Sequence, residues 1–400
     1  MNAKIAYFVH DLTDAAVRRR VRMLTAGGAV VTPIGFRRGT QPVTAIEGIP
    51  ALEIGRSADG RLLQRSLSVA AALAGLSVVA PHVRGSDVVI ARNLEMLVLA
   101  ARARKRYAPA ARLVYECLDI HRLLLSHHLD GALLRMLEAS LWTEVDLLLT
   151  SSPAFVRSYF NPRGFPAPIR VVENKVAMLG DAQVVPPAKR QPGPPWRIGW
   201  FGMIRCRASL DILSSLAAAA GGAIEVVIRG RPSGASFPDF EAAVADRAYV
   251  RYAGPYRNPE DLPDIYGEVH FAWAIDYYED GQNSAWLLPN RLYEASAYGA
   301  VPIALADVET GAWLAERAAG VVLNEPVRQQ LADFFRRLDR DRYEDLESAV
   351  RALPRAALVS DRGDCRALVR ELCPPLAPGA DADPCRGSKD AVAGNAGAQP

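Results

Sequence analysis

Cysteine is scarce in this chain, with five in 400 residues. Cys117, Cys206, Cys365, Cys373 and Cys385 are odd in number, and no two stand in a C-x-x-C pair. That usage supports neither a disulfide framework nor a zinc site, and it fits a reducing cytoplasm. Long apolar runs are missing as well. The opening MNAKIAYFVHDL has too short an apolar run for a signal peptide. The stretch SLSVAAALAGLSVVAPHV at 66–83 is broken by Ser and Gly, and falls short of the ~20 strongly apolar residues of a membrane span. It reads as a packed helix followed by a loop.

Nucleotide fingerprints are also absent. The first βα turn, VHDLTDAA at 9–16, lacks G-x-G-x-x-G, and FGMIRCRASL at 201–210 has a single Gly. No G-x-x-x-x-G-K-[ST] occurs, so hydride transfer and P-loop phosphoryl transfer are disfavoured. DRD at 339–341 lies in a charged helical region and DAD at 381–383 in the C-terminal tail. Both read as incidental, and His127–His128 has no matching ligand pair, so no metal site is expected. Basic and aromatic residues do not interleave, which argues against nucleic acid as a partner.

What is present is a charge asymmetry. The net charge is only +3, yet residues 1–180 carry +9 and the remainder −6. A basic half joined to an acidic half suggests that the first meets something anionic. Apolar and Arg residues mix in AAVRRRVRML (15–24) and ARARKRY (101–107), a pattern that suits anionic lipid headgroups or a lipid pyrophosphate. A solvated helix face gives the same pattern.

Strands alternate with helices along the chain. KIAYFVH, DAAVRRRVRMLTAGG and AVVTPIGF form a first β-α-β unit, and the alternation continues to IRVVEN at 169–174. A Pro- and Gly-rich linker follows, after which the alternation restarts at RIGWFG, 197–202. The expected fold class is α/β, with two doubly wound Rossmann-like domains facing across a cleft. Their bounds are 1–180, a linker at 181–196, and 197–373. Residues 374–400 have no Leu, Ile, Met or aromatic after Leu376, and are expected to be disordered. In such sheets ligands bind beyond the carboxyl ends of the strands.

The second domain has the features of a nucleoside-diphosphate site. Gly202 ends a strand and allows close backbone approach, and Arg205 offers a forked cation to phosphate oxygens. Pro289 opens a helix whose first N–H groups, at 290–293, make an anion site. Arg291 adds charge there, and Glu294 can accept from paired ribose hydroxyls. The plainer alternative is a surface Arg291 and a Glu294 that merely favours the helix dipole, worth ~0.3–1 kcal/mol.

The stretch YAGPYRNPEDLPDIYGEVHFAWAIDYYEDGQNSAWLLPNRLYEASAYGAVPIAL (252–305) resembles the donor site of GT-B glycosyltransferases related to family 4. Its core is their N-[KR]-L-[FY]-E-x-x-A-x-G pattern. The N-terminal VHDLTDAAVRRRVRMLTAGGAVVTPIGFRR resembles bacterial exopolysaccharide glycosyltransferases of the succinoglycan-assembly type. The GT-B resemblance spans about residues 1–370. It implies that Glu294 binds the donor ribose and Arg205 the diphosphate. Asn290 and Arg291 would line the phosphate end, and Tyr256 would lie near the nucleobase. Retaining family-4 enzymes commonly carry a second Glu eight residues before the ribose Glu, and here that position is Trp286.

Glycosyl transfer by inversion needs a positioned base. VYECLDIHR (114–122) places Glu116, Asp119 and His121 past a strand end, with Asp119 the first candidate and His121 beside it. His10 and Asp11 end the first strand and are the second pair. Asp119 can equally cap the next helix, and Asp11 can shape its turn. The expected activity is transfer of a hexose from a nucleoside-diphosphate sugar, UDP-linked, to a lipid-linked oligosaccharide in exopolysaccharide assembly. Neither cofactor nor metal is expected. The protein would sit in the cytoplasm, peripheral at the inner face of the cell membrane. Two rivals are a non-catalytic GT-B partner of a polysaccharide assembly complex and a nucleotide-sugar epimerase.

Overall fold

The computed structural model describes residues 2–57, 62–179, 187 and 190–374. The tail from 375 and half of the linker lie outside the described residues. Two parallel sheets form the frame. The first contains β1 (Lys4–Val9), β2 (Val30–Arg37), β3 (Leu52–Arg56), β4 (Val88–Arg92), β5 (Arg112–Cys117), β6 (Leu147–Thr150) and β7 (Ile169–Val171), in the order 3-2-1-4-5-6-7. The second contains β8 (Trp196–Ile204), β9 (Ile224–Pro232), β10 (Val250–Tyr252), β11 (Phe271–Trp273), β12 (Val301–Leu305) and β13 (Val321–Leu323), in the order 10-9-8-11-12-13. Inner strands such as VVIAR and VPIAL are buried along their whole length, because helices cover both faces. Strand order reverses between β1 and β4, and again between β8 and β11. Those two crevices are where such sheets take ligands.

Five helices matter for the site: α1 (Ala15–Ala26), α2 (Leu94–Tyr107), α3 (Leu129–Trp142), α4 (Asn290–Ala297) and α5 (Arg362–Leu372). The α1 helix is capped by Asp14, whose carboxylate accepts from Ala16 N. It buries Val17, Val21, Met23 and Leu24 beneath the first sheet.

Several expectations change. The α5 helix falls by sequence within the second domain, 197–373, yet it packs on α1. Its Cys365, Leu368, Val369 and Leu372 share one core with Ile5, Val17, Val21 and Leu24 of the first half. An amphipathic pattern fixes which face is buried, not which sheet buries it. The chain thus crosses between halves twice. The two crossings pair with each other in a short parallel bridge, Val176 beside Val359 and Ala177 beside Ser360. The edge strand β3 and the hairpin 45–50 are additions to the expected pattern; Ile46 apart, their strand residues are not fully buried, so they lack a run of core positions. The charged region at 327–351 is two helices, because the Asp339 carboxylate accepts from Arg342 N and caps the second. That is the role of the first Asp of DRD.

Linker residues within the described part are docked on the second sheet. Arg190 donates to the carbonyls of Gly299 (2.8 Å), Tyr298 (3.1 Å) and Tyr266.

Candidate active site

At the second crevice, Gly202 and Gly230 face each other in register on β8 and β9. Both have positive φ, +110° and +138°, and a Cβ on Gly230 would lie 1.8 Å from the Gly202 carbonyl oxygen. Only glycine serves there, so the strand ends can flare. Just beyond, Arg205 reaches across to Asp276, which follows β11. Its Nη2 donates to Asp276 Oδ2 at 3.0 Å, and its guanidinium lies 4.7 Å from the Tyr278 ring centroid. Arg291, in the first turn of α4, sends Nη2 to within 3.6 Å of the same Asp276 oxygen. Its Nη1 is buried and has no hydrogen-bond partner among the described residues. These groups line one cleft with Pro289, Ser284 and Thr310, about 450 Å3 including its open mouth.

No side chain caps α4. Asn290 is exposed at its start, so the helix offers unfilled N–H groups to the cleft. One turn further, Glu294 is buried. Its oxygens accept from Asn258 Nδ2 (2.7 Å) and Tyr266 OH (3.1 Å). Burial raises its pKa, and these two hydrogen bonds, with the more distant Arg19 and Arg291, offset that only in part. Tyr256 packs on Phe201 at 6.5 Å between centroids. Burial, then the neighbouring Glu294 charge, pushes its phenol pKa up. The structure therefore places Arg205 and Arg291 on one cleft, with Glu294 and Tyr256 close enough to feel the Arg291 charge. Sequence reading missed Asp276, Asn258 and Tyr266, whose partners lie 71, 36 and 28 positions away.

The first crevice is built differently. Glu116, at the end of β5, is fully buried. Arg20 Nε donates to its Oε1 at 2.6 Å, Arg92 Nε lies 3.2 Å from Oε2, and Tyr7 OH donates to Oε2. Burial would raise its pKa, but Arg92 and Arg20 outweigh that and hold it below the ordinary value. Glu116 is thus occupied and does not face the cleft as a free carboxylate. Asp11 is committed too. Its Oδ1 accepts from Thr13 N (2.9 Å) and Thr13 Oγ1 (2.7 Å), the turn-shaping role. Asp119 is exposed and caps nothing. The cap of the following helix is His121, whose Nδ1 accepts from Leu123 N at 3.3 Å.

His10 has a partner that the sequence did not announce. Its Nε2 lies 3.3 Å from Asp14 Oδ2, and its Nδ1 is buried without a hydrogen-bond partner. Burial opposes the Asp14 charge, yet His10 and Arg92 hold that carboxyl well below its usual range. An imidazole oriented by a carboxylate is the arrangement of a general base.

Of the RRR run of α1, Arg18 is exposed, but the other two and the nearby Arg22 are engaged. Arg20 is buried on Glu116, and Arg22 Nε lies 3.9 Å from Glu47. Arg19 donates to the Lys175 carbonyl and, at 3.4 Å, to Asn174 Oδ1. Burial and the neighbouring Arg20 push the Arg19 pKa down to about 10.

Two contacts tie the crevices together. Asn283 is buried and exchanges both amide bonds with Ile120, accepting from its N (2.9 Å) and donating to its O (2.6 Å). Trp286 meets Phe155 edge-on at 6.1 Å. Where the resemblance leads one to look for a carboxylate, an indole wedges between the halves. Among the described residues no three His, Cys, Asp or Glu side chains come together to hold a metal, and no helix is long and apolar enough to cross a membrane.

Known proteins place this geometry. Succinoglycan biosynthesis protein ExoL of Rhizobium meliloti (strain 1021) is 48% identical over 374 residues, which cover 92% of this chain and 93% of ExoL. The chain belongs to the ExoL family of exopolysaccharide biosynthesis proteins. Its fold is the GT-B fold of glycosyltransferases. Sucrose-phosphate synthase from Thermosynechococcus elongatus superposes with a TM-score of 0.68 at 14% identity, covering 93% of this chain and 98% of its own. Anabaena HepE, solved with UDP and glucose, gives 0.65 at 16% identity, covering 92% and 99%. No family model matches the sequence.

Proposed function

We propose that this ExoL-family protein transfers a hexose from a UDP-sugar to a lipid-linked oligosaccharide. One observation carries the donor side. Arg205 and Arg291 converge on Asp276 at the mouth of the α4 N-terminus, and Arg291 Nη1 is left without a partner. A diphosphate entering there meets two guanidinium groups and a helix N-terminus, which stabilise the departing UDP by electrostatics without calling on a metal. Glu294 takes the ribose hydroxyls, with Asn258 and Tyr266 orienting it, and Tyr256 sits beside the base. HepE has been solved with UDP-glucose, which fits a UDP donor on this fold.

On the acceptor side His10, oriented by Asp14, is the base that takes the hydroxyl proton. Asp119 is exposed, and His121 uses its Nδ1 to cap a helix. The membrane contact is best assigned to α3 and α2. Leu129, Leu133 and Met136 are 85%, 66% and 69% exposed on α3, and α2 packs beside it with Arg102, Lys105 and Arg106 exposed. Apolar side chains ringed by cations suit an anionic leaflet, here the cytoplasmic face. A non-catalytic partner role is favoured by one feature only, Trp286 in place of a carboxylate.

Titration calorimetry with UDP and UDP-sugars tests the donor site. We expect UDP binding that weakens about tenfold to a hundredfold in Glu294→Ala, the cost of losing charged hydrogen bonds. His10→Gln should spare UDP binding and abolish transfer to lipid-linked acceptors. No UDP binding by the intact protein would overturn the reading.

A further inference from the structure

Arg92 ends β4, at the point where the order of the first sheet reverses. It is 2% exposed. Its Nε faces Glu116, but both terminal nitrogens, Nη1 and Nη2, are buried and have no partner among the described residues. Buried guanidinium groups are costly to leave unpaired, and an orphaned one asks for an explanation. The carboxylates around it do not supply one. Glu116 spends its oxygens on Tyr7, Arg20 and Arg92 Nε. Asp14 accepts from Ala16 N and pairs with His10. Asp119, close enough to affect Arg92 electrostatically, is exposed and takes no hydrogen bond from it.

Arg92 lines a narrow crevice together with Arg19, Arg20, Leu118, Glu173 and Asn174. Arg19 Nε is a further buried donor without a partner. Three guanidinium groups thus converge at a switch point, two of them with free N–H groups and only Glu173 to oppose them at the rim. Arg19 also lies close enough to Glu294 to affect its charge, so the cleft adjoins the donor site.

The geometry points to a phosphate-binding site at Arg92, Arg19 and Arg20. It holds the diphosphate of the acceptor while His10, on the neighbouring strand end, faces the acceptor sugar. Planar, always-charged guanidinium groups match phosphoryl oxygens in a fork. The assignment of this phosphate to the acceptor rests on the transferase reading above; the site itself does not.

Titration calorimetry of inorganic pyrophosphate into the UDP-saturated full chain tests the site. A parallel titration uses Arg205→Ala/Arg291→Ala, which removes the guanidinium groups assigned to the donor diphosphate. Pyrophosphate should bind in both, and Arg92→Lys or Arg19→Gln should weaken it about tenfold. If Arg92→Lys does not fold, the partly exposed Arg19→Gln carries the test. Absence of binding to the UDP-saturated protein, or binding unchanged by the variants, overturns the site. Farnesyl diphosphate binding more tightly than pyrophosphate supports the lipid-linked source, and equal or weaker binding overturns it. If the unaltered protein binds pyrophosphate but not UDP, the transferase reading falls and the site stands.

Discussion

Each half of the molecule buries one glutamate beside its crevice, and the two are treated in opposite ways. Glu116 is met by two guanidinium groups and a phenol. Glu294 is met by an amide and a phenol, both neutral. The first carboxyl has its pKa lowered and the second raised. A carboxylate whose charge is neutralised inside the protein serves the fold. One that is desolvated and supplied only with neutral donors keeps acceptor strength in hand for a ligand. The difference separates these two groups where burial does not, since both are buried.

Three measurements would break or sharpen that contrast. The largest effect is expected for Glu116→Gln. Removing its charge strands Arg20 and Arg92 in the interior, and chemical denaturation should show a loss of about 3–5 kcal/mol. A loss below about 1 kcal/mol would mean that the network is not structural.

The second is a difference in sign with pH. A lowered folded pKa means that the Glu116 contribution is complete above the unfolded carboxyl value and fades as pH falls through the folded one. A raised folded pKa means the reverse for Glu294. Its cost is absent in acid, appears as pH climbs past the unfolded value and is complete above the folded one. Glu294→Gln should therefore unfold at higher denaturant than the parent at pH 8 and lose that advantage towards pH 4, while the Glu116→Gln deficit holds over that range and shrinks only below the unfolded carboxyl value. Parallel curves would refute the contrast. A variant that binds UDP poorly yet is more stable is the ordinary trade at a functional site.

The smallest effect concerns the seam between the halves. Trp286→Ala removes one edge-on aromatic contact with Phe155 and should cost about 1 kcal/mol. An unchanged midpoint would show that the seam is held by its polar contacts, Asn283 with Ile120 and Arg157 with Glu309, and not by the indole.

Much of this was legible in the sequence. Apolar strands alternating with capped helices announce two parallel sheets, and the N-R-L-Y-E stretch puts Arg291 and Glu294 one turn apart on a helix. What stayed hidden depends on tertiary meetings. Asp276 looks like any loop acid until β8 and β11 become neighbours and bring Arg205 to it. Asp14 reads as a helix cap, which it is, and nothing local says that its second oxygen orients His10. Arg19 and Arg20 look like surface cations because a basic run on a helix usually is one, and their carboxylate and carbonyl partners lie 96 and 156 positions away. Asp119 drew attention as an acid past a strand end, but neighbouring residues cannot say which of several such acids will be engaged.

The returning helix α5 has a consequence for building chimaeras within this family. A hybrid that takes its acceptor half from one parent and its donor half from another cannot be cut once. A single junction near 190 would pair the first sheet of one parent with the α5 of the other, and Cys365, Leu368, Val369 and Leu372 would face a foreign α1. The natural exchange unit is a cassette running from the linker to the bridge at Val359–Ser360, inserted into a host that keeps both of its own ends.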